Sequence, residues 1–354
     1  MTASKGQIIH LIVGLDPGGA EHALLHLVKE QKKQGWHPEV FYLKSAASKL
    51  RHRFEDHGIP VHNAMSSPWL IKTLRDRYKQ NPRLLLHSHL LYADCVAWFL
   101  KGLLGCPWVC TLHSTYDFHT QRKARQALAQ RIYKRLDQAI AVTEVVGESF
   151  ISAGAIGAHT VIGNAIHEDF FRCSPKTSDP QDKRLLVLGR LSPEKQFSMA
   201  LDALSFLDPS FSLDVVGDGP AAESLRRRAS DRNISDRVRF HGLVGLPTAV
   251  MAQSDVVLLP SATEGLPLVA LESIATGTPI IANAVGGLVA LLEASPIPSV
   301  NIQTGQDLAQ EIQRVFAGPK TIPQWQKWAE TAREAFMPQV IGREVTQCYE
   351  DVLG

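Results

Sequence analysis

Short apolar, β-branched runs alternate with longer stretches of helical periodicity along the whole chain, and this alternation constrains the fold most. A strand that is apolar throughout must be buried on both faces, and a parallel sheet covered by crossover helices does this. The fold class is therefore α/β. IIHLIVG reads as a first strand, after which Ala20, Ala23, Leu24, Leu27, Val28 and Gln31 trace a helix that ends before Gly35. HPEVFYL, RLLLHSH, PWVCTLH, QAIAVT and HTVIGN are further strand candidates. The pattern lapses between His167 and Lys183, where Pro, Ser and Asp collect, and restarts with RLLVLG, SLDVVG, VRFHG, DVVLLP and TPIIAN. From Pro323 to Leu353 the pattern is helical, interrupted at Pro338. A length of 354 residues suits two domains. The expectation is two Rossmann-like domains facing across a cleft, residues 1–166 and 184–338, joined by a linker at 167–183.

Composition narrows the function classes. With 45% hydrophobic and 20% charged residues the chain is neither disordered nor fibrous. The longest largely apolar stretch, Cys95 to Cys110, is broken by Lys101 and Pro107, so no membrane-spanning helix is expected. The N-terminal apolar run is too short for a signal peptide. Five cysteines without a Cys-x-x-Cys argue against a disulfide framework or a thiolate zinc site, and a reducing cytoplasm is the expected setting. Residues 1–150 hold 20 Lys and Arg against 12 Asp and Glu, a balance of +8, whereas residues 151–354 hold 17 against 23, a balance of −6. A basic half suits an anionic partner. No zinc-finger spacing or RNA-reading aromatic run accompanies it, so nucleic acid is not expected.

Three segments could carry chemistry. GDGPAA at Gly217–Ala222 fits G-x-G-x-x-A, with Asp236 at about the expected distance, but it follows the second strand of its domain where the dinucleotide fingerprint follows the first. In GRLSPEKQ a strand ends on Gly189, Arg190 follows, Ser192 and Pro193 open a helix, and Lys195 lies in its first turn. Helix N-termini bind anions, and two cations there suit a diphosphate. Cations in a first turn oppose the helix dipole, so local stability does not explain Lys195. In SATEGLPLVALESIATGTPIIA, Pro267 takes a first helical position, Glu264 sits in the preceding turn and Glu272 inside the helix. A carboxylate above a parallel strand end lies where open α/β sheets bind ligands, and it accepts hydrogen bonds from hydroxyls. For Glu272 alone a solvated helix face is the competing reading.

EGLPLVALES, GRLSPEKQ, GDGP, FHGLV and GLDPGGAEHALLHL together resemble the retaining glycosyltransferases of family 4, of GT-B fold, over nearly the whole chain. The resemblance implies a nucleotide-sugar donor on the second domain, a UDP-sugar first and a GDP-sugar second. Arg190 and Lys195 would hold its diphosphate, Glu272 its ribose, and Glu264 the donor sugar. Backbone amides of Gly265, Leu266 and Leu268 would contact sugar and phosphate, and the loop with Leu243 and Val244 would receive the base. His113, in VCTLHST, matches the family histidine that reaches the transferring sugar, and Gly18 and Gly19 would border the cleft. Glu264, His113, Lys195 and Arg190 would form the catalytic set. The last helix, about 339–354, would return to the first domain. The reaction implied is displacement of nucleotide diphosphate with retention at the anomeric carbon.

No Asp-x-Asp occurs, so metal-independent transfer with no cofactor is expected, fixed cations and a helix dipole stabilising the leaving group. Two departures stand out. The family's Asn-Gly-hydrophobic-Asp is here Asn164, Ala165, Ile166, His167, and the acidic residue usual after Gly286 and Gly287 is replaced by Leu288, Val289 and Ala290. Basic residues collect at Lys72, Arg75, Arg77, Lys79 and at Arg122, Lys123, Arg125, Arg131, Lys134, Arg135. They suggest a glycan or lipid-linked acceptor and peripheral docking on an anionic cytoplasmic membrane face during envelope polysaccharide or lipopolysaccharide synthesis. Two rival readings are a sugar-nucleotide epimerase of the same fold and a non-catalytic nucleotide-binding subunit of a polysaccharide assembly.

Overall fold

The computed structural model describes residues 5–44, 48–64, 67–115, 123–174 and 182–354. The chain divides into two compact units, unit 1 of residues 1–166 with 337–354 and unit 2 of residues 167–336.

Unit 1 carries a seven-stranded parallel sheet: β1 (Gln7–Ile12), β2 (His37–Tyr42), β3 (Val61–Asn63), β4 (Leu84–His89), β5 (Trp108–Leu112), β6 (Gln138–Ala141) and β7 (Thr160–Val161). Their order is β3-β2-β1-β4-β5-β6-β7, so it reverses between β1 and β4, where doubly wound sheets open a crevice at the carboxyl ends of the strands. β3 has no counterpart in the apolar pattern, because VHN buries only Val61. Ile8, Ile9, Leu11 and Ile12 of β1 are fully buried, as a central strand covered on both faces requires. The helix Pro338–Leu353 closes one face of this sheet. Its Ile341, Val345, Cys348 and Tyr349 share a core with Ile8, Leu27, Leu85, Val109 and Ile140, each large apolar side chain contributing about 1.5–3 kcal/mol by burial. Pro338 stands in the first helical turn, where a missing N–H costs nothing.

Unit 2 carries β8 (Lys183–Leu188), β9 (Phe211–Val216), β10 (Val238–Gly242), β11 (Val256–Leu259) and β12 (Ile280–Ala282) as a parallel sheet in the order β10-β9-β8-β11-β12. The reversal here lies between β8 and β11. Within 167–183, residues Glu168–Arg172 form a 3-10 turn that packs on the helix Leu268–Thr276, with Phe170 buried, while 175–181 of the expected linker lie outside the described residues. His167 caps this turn, its Nδ1 accepting from the Asp169 N–H at 3.2 Å.

All five cysteines are free thiols. Among the expected basic residues Arg77 is paired, its guanidinium 2.5 Å from Glu39, whereas Lys72, Arg75, Lys79, Arg131, Lys134 and Arg135 are exposed. Arg122 lies outside the described residues. No described helix is long and apolar enough to cross a membrane.

Candidate functional site

The carboxyl ends of the unit 2 strands feed loops that are stitched together by backbone hydrogen bonds. Gly189 N–H donates to Val216 O, Leu191 N–H to Asp218 O, Ala221 N–H to Leu191 O, Gly217 N–H to Gly242 O, and Ala262 N–H to Glu194 O. The GDGPAA segment thus serves packing. Gly217 has φ +135°, and a Cβ there would collide with the Gly189 carbonyl oxygen. Gly286, at φ +52°, presses likewise against the carbonyl oxygen of Glu264. Only glycine permits approaches this close at positive φ.

Across the β8/β11 reversal, Lys195 from one loop meets Glu264 from the other, Nζ to Oε1 2.6 Å. The Glu264 side chain is 8% exposed and that of Lys195 25%, so the pair sits at the mouth of the site with its anionic member inside. The GRLSPEKQ segment does not open an α-helix as expected. Pro193–Lys195 is a single 3-10 turn, Gln196 ends it in the left-handed region at φ 50°, and the α-helix begins only at Ser198. Lys195 therefore opposes no α-helix dipole, and the pairing with Glu264 accounts for it. The neighbouring Glu194 carboxyl is held below the usual range first by the Ser192 hydroxyl, 2.5 Å away, and then by a hydrogen bond from its own backbone, with the charges of Arg190 and Lys195 adding to the effect.

Pro267 is the cap residue with extended geometry, φ −69° and ψ 128°, one position earlier than expected, and the helix starts at Leu268. Its first turn has no side-chain cap, and the first N–H groups of a helix lack intrahelical partners. Glu272 lies one turn in. It is half-buried, its carboxyl has no hydrogen-bond partner among the described residues, and burial raises its pKa to about 8. Beyond β10, Leu243 and Val244 stand 64% and 38% exposed. Gly265 accepts from Gly287 N–H at 3.0 Å, and Leu266 is buried.

In unit 1, Gly18 caps the helix Gly19–Lys33 without a side chain, and its carbonyl accepts from both the backbone N–H and Nδ1 of His22. His113, just after β5, is half-buried, with its pKa lowered to about 4 by desolvation. Its Nε2 joins a histidine cluster that the sequence reading passed over. In the parallel register His10 pairs with His87, and His87 and His89 alternate onto one face of β4, so all three rings share that face. The signal was present: the HSH of β4 and the lone His of IIHLI stand in otherwise apolar strands, and Gln31 stands on the apolar stripe of its helix. The nitrogens of His10, His87 and His89 approach within 4.8 Å of one another, a spacing that could hold a cation. Every one of these nitrogens is, however, engaged by a hydrogen bond inside the core, and no carboxylate is among the partners. The cluster fits a neutral hydrogen-bonded chain better than a metal site.

Comparison with known proteins follows the same division. The model of the glycosyl transferases group 1 matches residues 173–335, and that of glycosyltransferase family 4 matches residues 17–170. A D-inositol 3-phosphate glycosyltransferase of Rhodococcus opacus is 26% identical over 357 residues, covering 86% of this chain and 79% of the relative. A 2-deoxystreptamine glucosyltransferase of Streptomyces kanamyceticus is 26% identical, covering 73% of this chain and 75% of the relative. The crystal structure of Anabaena HepE in complex with UDP-glucose superposes with a TM-score of 0.83 at 22% identity, over 98% of this chain and 99% of that one. Sucrose-phosphate synthase from Thermosynechococcus elongatus gives 0.78 at 21% identity, over 98% of each chain. Two parallel α/β units, loops gathered at the strand reversal and the two family models covering them in turn make this chain a glycosyltransferase of family 4 with the GT-B fold.

Proposed function

We propose that the chain transfers a hexose or N-acetylhexosamine from a UDP-sugar to a hydroxyl of a glycan or lipid-linked acceptor, with retention at the anomeric carbon and without a metal. The observation that carries this reading is the Lys195–Glu264 pair at the unit 2 strand reversal, with the unpaired Glu272 carboxyl eight residues beyond Glu264, one turn into the following helix. UDP and UDP-glucose occupy the structural neighbour HepE, and a D-inositol 3-phosphate glycosyltransferase and a 2-deoxystreptamine glucosyltransferase are among the sequence relatives.

In this reading the diphosphate rests on the first turn of the helix Leu268–Thr276, with the backbone amides of Gly265, Leu266 and Leu268 as donors. Lys195 and Arg190 neutralise the charge that develops as UDP departs. Lys195 is already held by Glu264 before the reaction, and a preset charge is where electrostatic stabilisation is strongest. Glu272 accepts from the ribose hydroxyls and Leu243 and Val244 cover the base. Glu264, already oriented by Lys195, accepts from hydroxyls of the sugar, and His113 adds a hydrogen bond to it. Gly18 and Gly19 leave room for backbone approach. The acceptor hydroxyl attacks on the face the diphosphate leaves, its proton passing to the departing phosphate. The exposed cations of unit 1 suit an anionic acceptor or an anionic membrane face in envelope glycan synthesis.

The test is a panel of UDP-, GDP- and ADP-sugars, each with chelator and with added divalent cation, reading thermal stabilisation and free nucleotide diphosphate. A UDP-hexose should stabilise the protein by about 2.7 kcal/mol at a hundredfold excess over Kd and release UDP equally well in chelator. Stabilisation by no donor, or release only with metal, overturns the corresponding part of the reading. An epimerised nucleotide sugar in place of free UDP points to the epimerase.

A further inference from the structure

Seven side chains of unit 1 form one continuous hydrogen-bonded chain. His113 Nε2 lies 3.1 Å from His89 Nδ1, His89 Nε2 3.1 Å from His10 Nδ1, and His10 Nε2 2.8 Å from Gln31 Oε1. Gln31 Nε2 lies 2.8 Å from the Tyr349 hydroxyl, which is 2.6 Å from His87 Nδ1, and His87 Nε2 is 2.7 Å from Thr111 Oγ1. Apart from His113, every member is buried. Desolvation takes His10 to about 4 and His87 and His89 well below their ordinary value, so each ring is neutral near pH 7.

A neutral imidazole has one N–H and one lone pair, so the direction of one bond sets the direction of the next. The carbonyl oxygen of Gln31 is an acceptor only. His10 therefore donates from Nε2 and accepts at Nδ1, His89 does the same, and His113 donates from Nε2. On the other branch the Gln31 amide N–H donates to Tyr349, Tyr349 donates to His87 Nδ1, and His87 Nε2 donates to Thr111. All four rings thereby adopt the Nε2–H tautomer, which a neutral imidazole prefers on its own. Turning the Gln31 amide over would reverse every bond and place all four in the less stable Nδ1–H form. His113 Nδ1 is left as a lone pair with no hydrogen-bond partner among the described residues.

We propose that Gln31, acting through His10 and His89, is a positioning residue that fixes the tautomer of His113, so that His113 meets the sugar as a hydrogen-bond acceptor at Nδ1. The second half rests on the reading that His113 touches the transferring sugar; the tautomer itself does not. As an acceptor, Nδ1 takes a hydroxyl and disfavours a carboxylate or any other group that has no proton to give, which makes the relay a filter on donor chemistry.

The experiment is long-range 1H–15N correlation on ligand-free protein labelled with 15N in the histidine rings, at neutral pH, with the His113 signals identified by their loss in His113→Asn. The expected pattern is a single tautomer, with Nε2 protonated and Nδ1 bare. In Gln31→Met the anchor is gone and the His113 nitrogens should move to averaged, intermediate shifts; Gln31→Asn, which draws the amide back from His10, replaces it should Gln31→Met not fold. A proton on Nδ1 of His113 in the wild type, or an unchanged single tautomer in the Gln31 variant, overturns the proposal. Because the spectrum is read without substrate, it stands apart from whether the chain transfers sugar. With a donor identified, Gln31→Met should also lower kcat/KM about tenfold, the loss of one neutral hydrogen bond.

Discussion

Lys195 Nζ and Glu264 Oε1 are 2.6 Å apart across the strand reversal of unit 2, although 69 positions separate them in the chain. Each is the counterion of the other in the unliganded protein, and each has a separate substrate partner in the proposed reaction. Lys195→Ala should lower kcat/KM by about 10²–10³, as losing one preset charge at a developing oxyanion does. Because it strands a largely buried carboxylate, it should also cost stability, at or below the lower end of the about 3–5 kcal/mol seen for fully buried pairs, since Lys195 is a quarter exposed. A double-mutant cycle with Glu264→Gln measures the coupling, and strict additivity of the two losses would contradict a functional pair.

Glu272 gives a pH-dependent signature. Burial holds its pKa at about 8, so the free protein carries it protonated at pH 6–7. Ribose hydroxyls donate to a carboxylate, so binding draws on the ionised form and releases a proton. The Kd for UDP should tighten by up to about tenfold per pH unit from 6 towards 8 and level off above, while Glu272→Gln should flatten the profile. Titration calorimetry in two buffers of different ionisation enthalpy counts the proton, and a wild-type Kd that is flat over this range removes the assignment.

The buried histidines predict acid lability of unit 1. His10 and His113 titrate at about 4 when folded and near 6.5 when unfolded, so between these values the unfolded chain binds more protons and stability rises with pH. It is fully present above about 6.5 and lost as pH falls towards 4, by about 3 kcal/mol for His10 alone. Asp94, pushed up to about 7 by burial beside Ser88 and Tyr133, works in the opposite direction, gaining as pH falls from 7. Four rings outweigh one carboxyl. Thermal unfolding between pH 7.5 and 4.5 should show a falling Tm for the unit that contains them, and a level or rising Tm would exclude neutral buried rings.

The stitched loops of unit 2 predict a sharp contrast between glycines. Gly217→Ala and Gly286→Ala drive a methyl group into a backbone carbonyl at positive φ and should each cost more than about 2 kcal/mol. Gly157→Ala, where the added methyl meets open space, should stay within about 0.5 kcal/mol. Urea unfolding midpoints at unchanged m decide this.

Tyr349→Phe removes one oxygen that both Gln31 and His87 use. The ring packing survives, but a buried donor and a buried acceptor lose their partner, at about 1–3 kcal/mol. A neutral outcome in denaturant melts would mean that the hydroxyl is not a link in the chain.

Much of this was legible in the sequence because apolar periodicity reports burial directly. The long central strands and the helix carrying Leu24, Leu27 and Val28 were readable for that reason, whereas β3, with one buried residue in three, left no trace. Ser-Pro-Glu-Lys is good helix-opening chemistry, so the local pattern does not show the left-handed Gln196 at which the turn stops. The carboxylate at Glu264 could be named from its turn, yet its pairing with Lys195 depends on which strands are neighbours, which no local pattern encodes. The histidine relay was hidden for a related reason: its members come from three strands, one loop and two helices, and only the β1/β4 register brings them onto one face.

The helix Pro338–Leu353 has a consequence for how the protein is made. Its Ile341, Val345 and Tyr349 complete the core of unit 1, so that core stays open while the ribosome synthesises the whole of unit 2. At translation rates of about 5–20 residues per second, the first unit waits roughly ten seconds or more for its last element, with Trp36, Leu85 and Val109 uncovered in the meantime. The second unit, contiguous in sequence, has no such wait, so on the ribosome the order of completion runs against the order of synthesis.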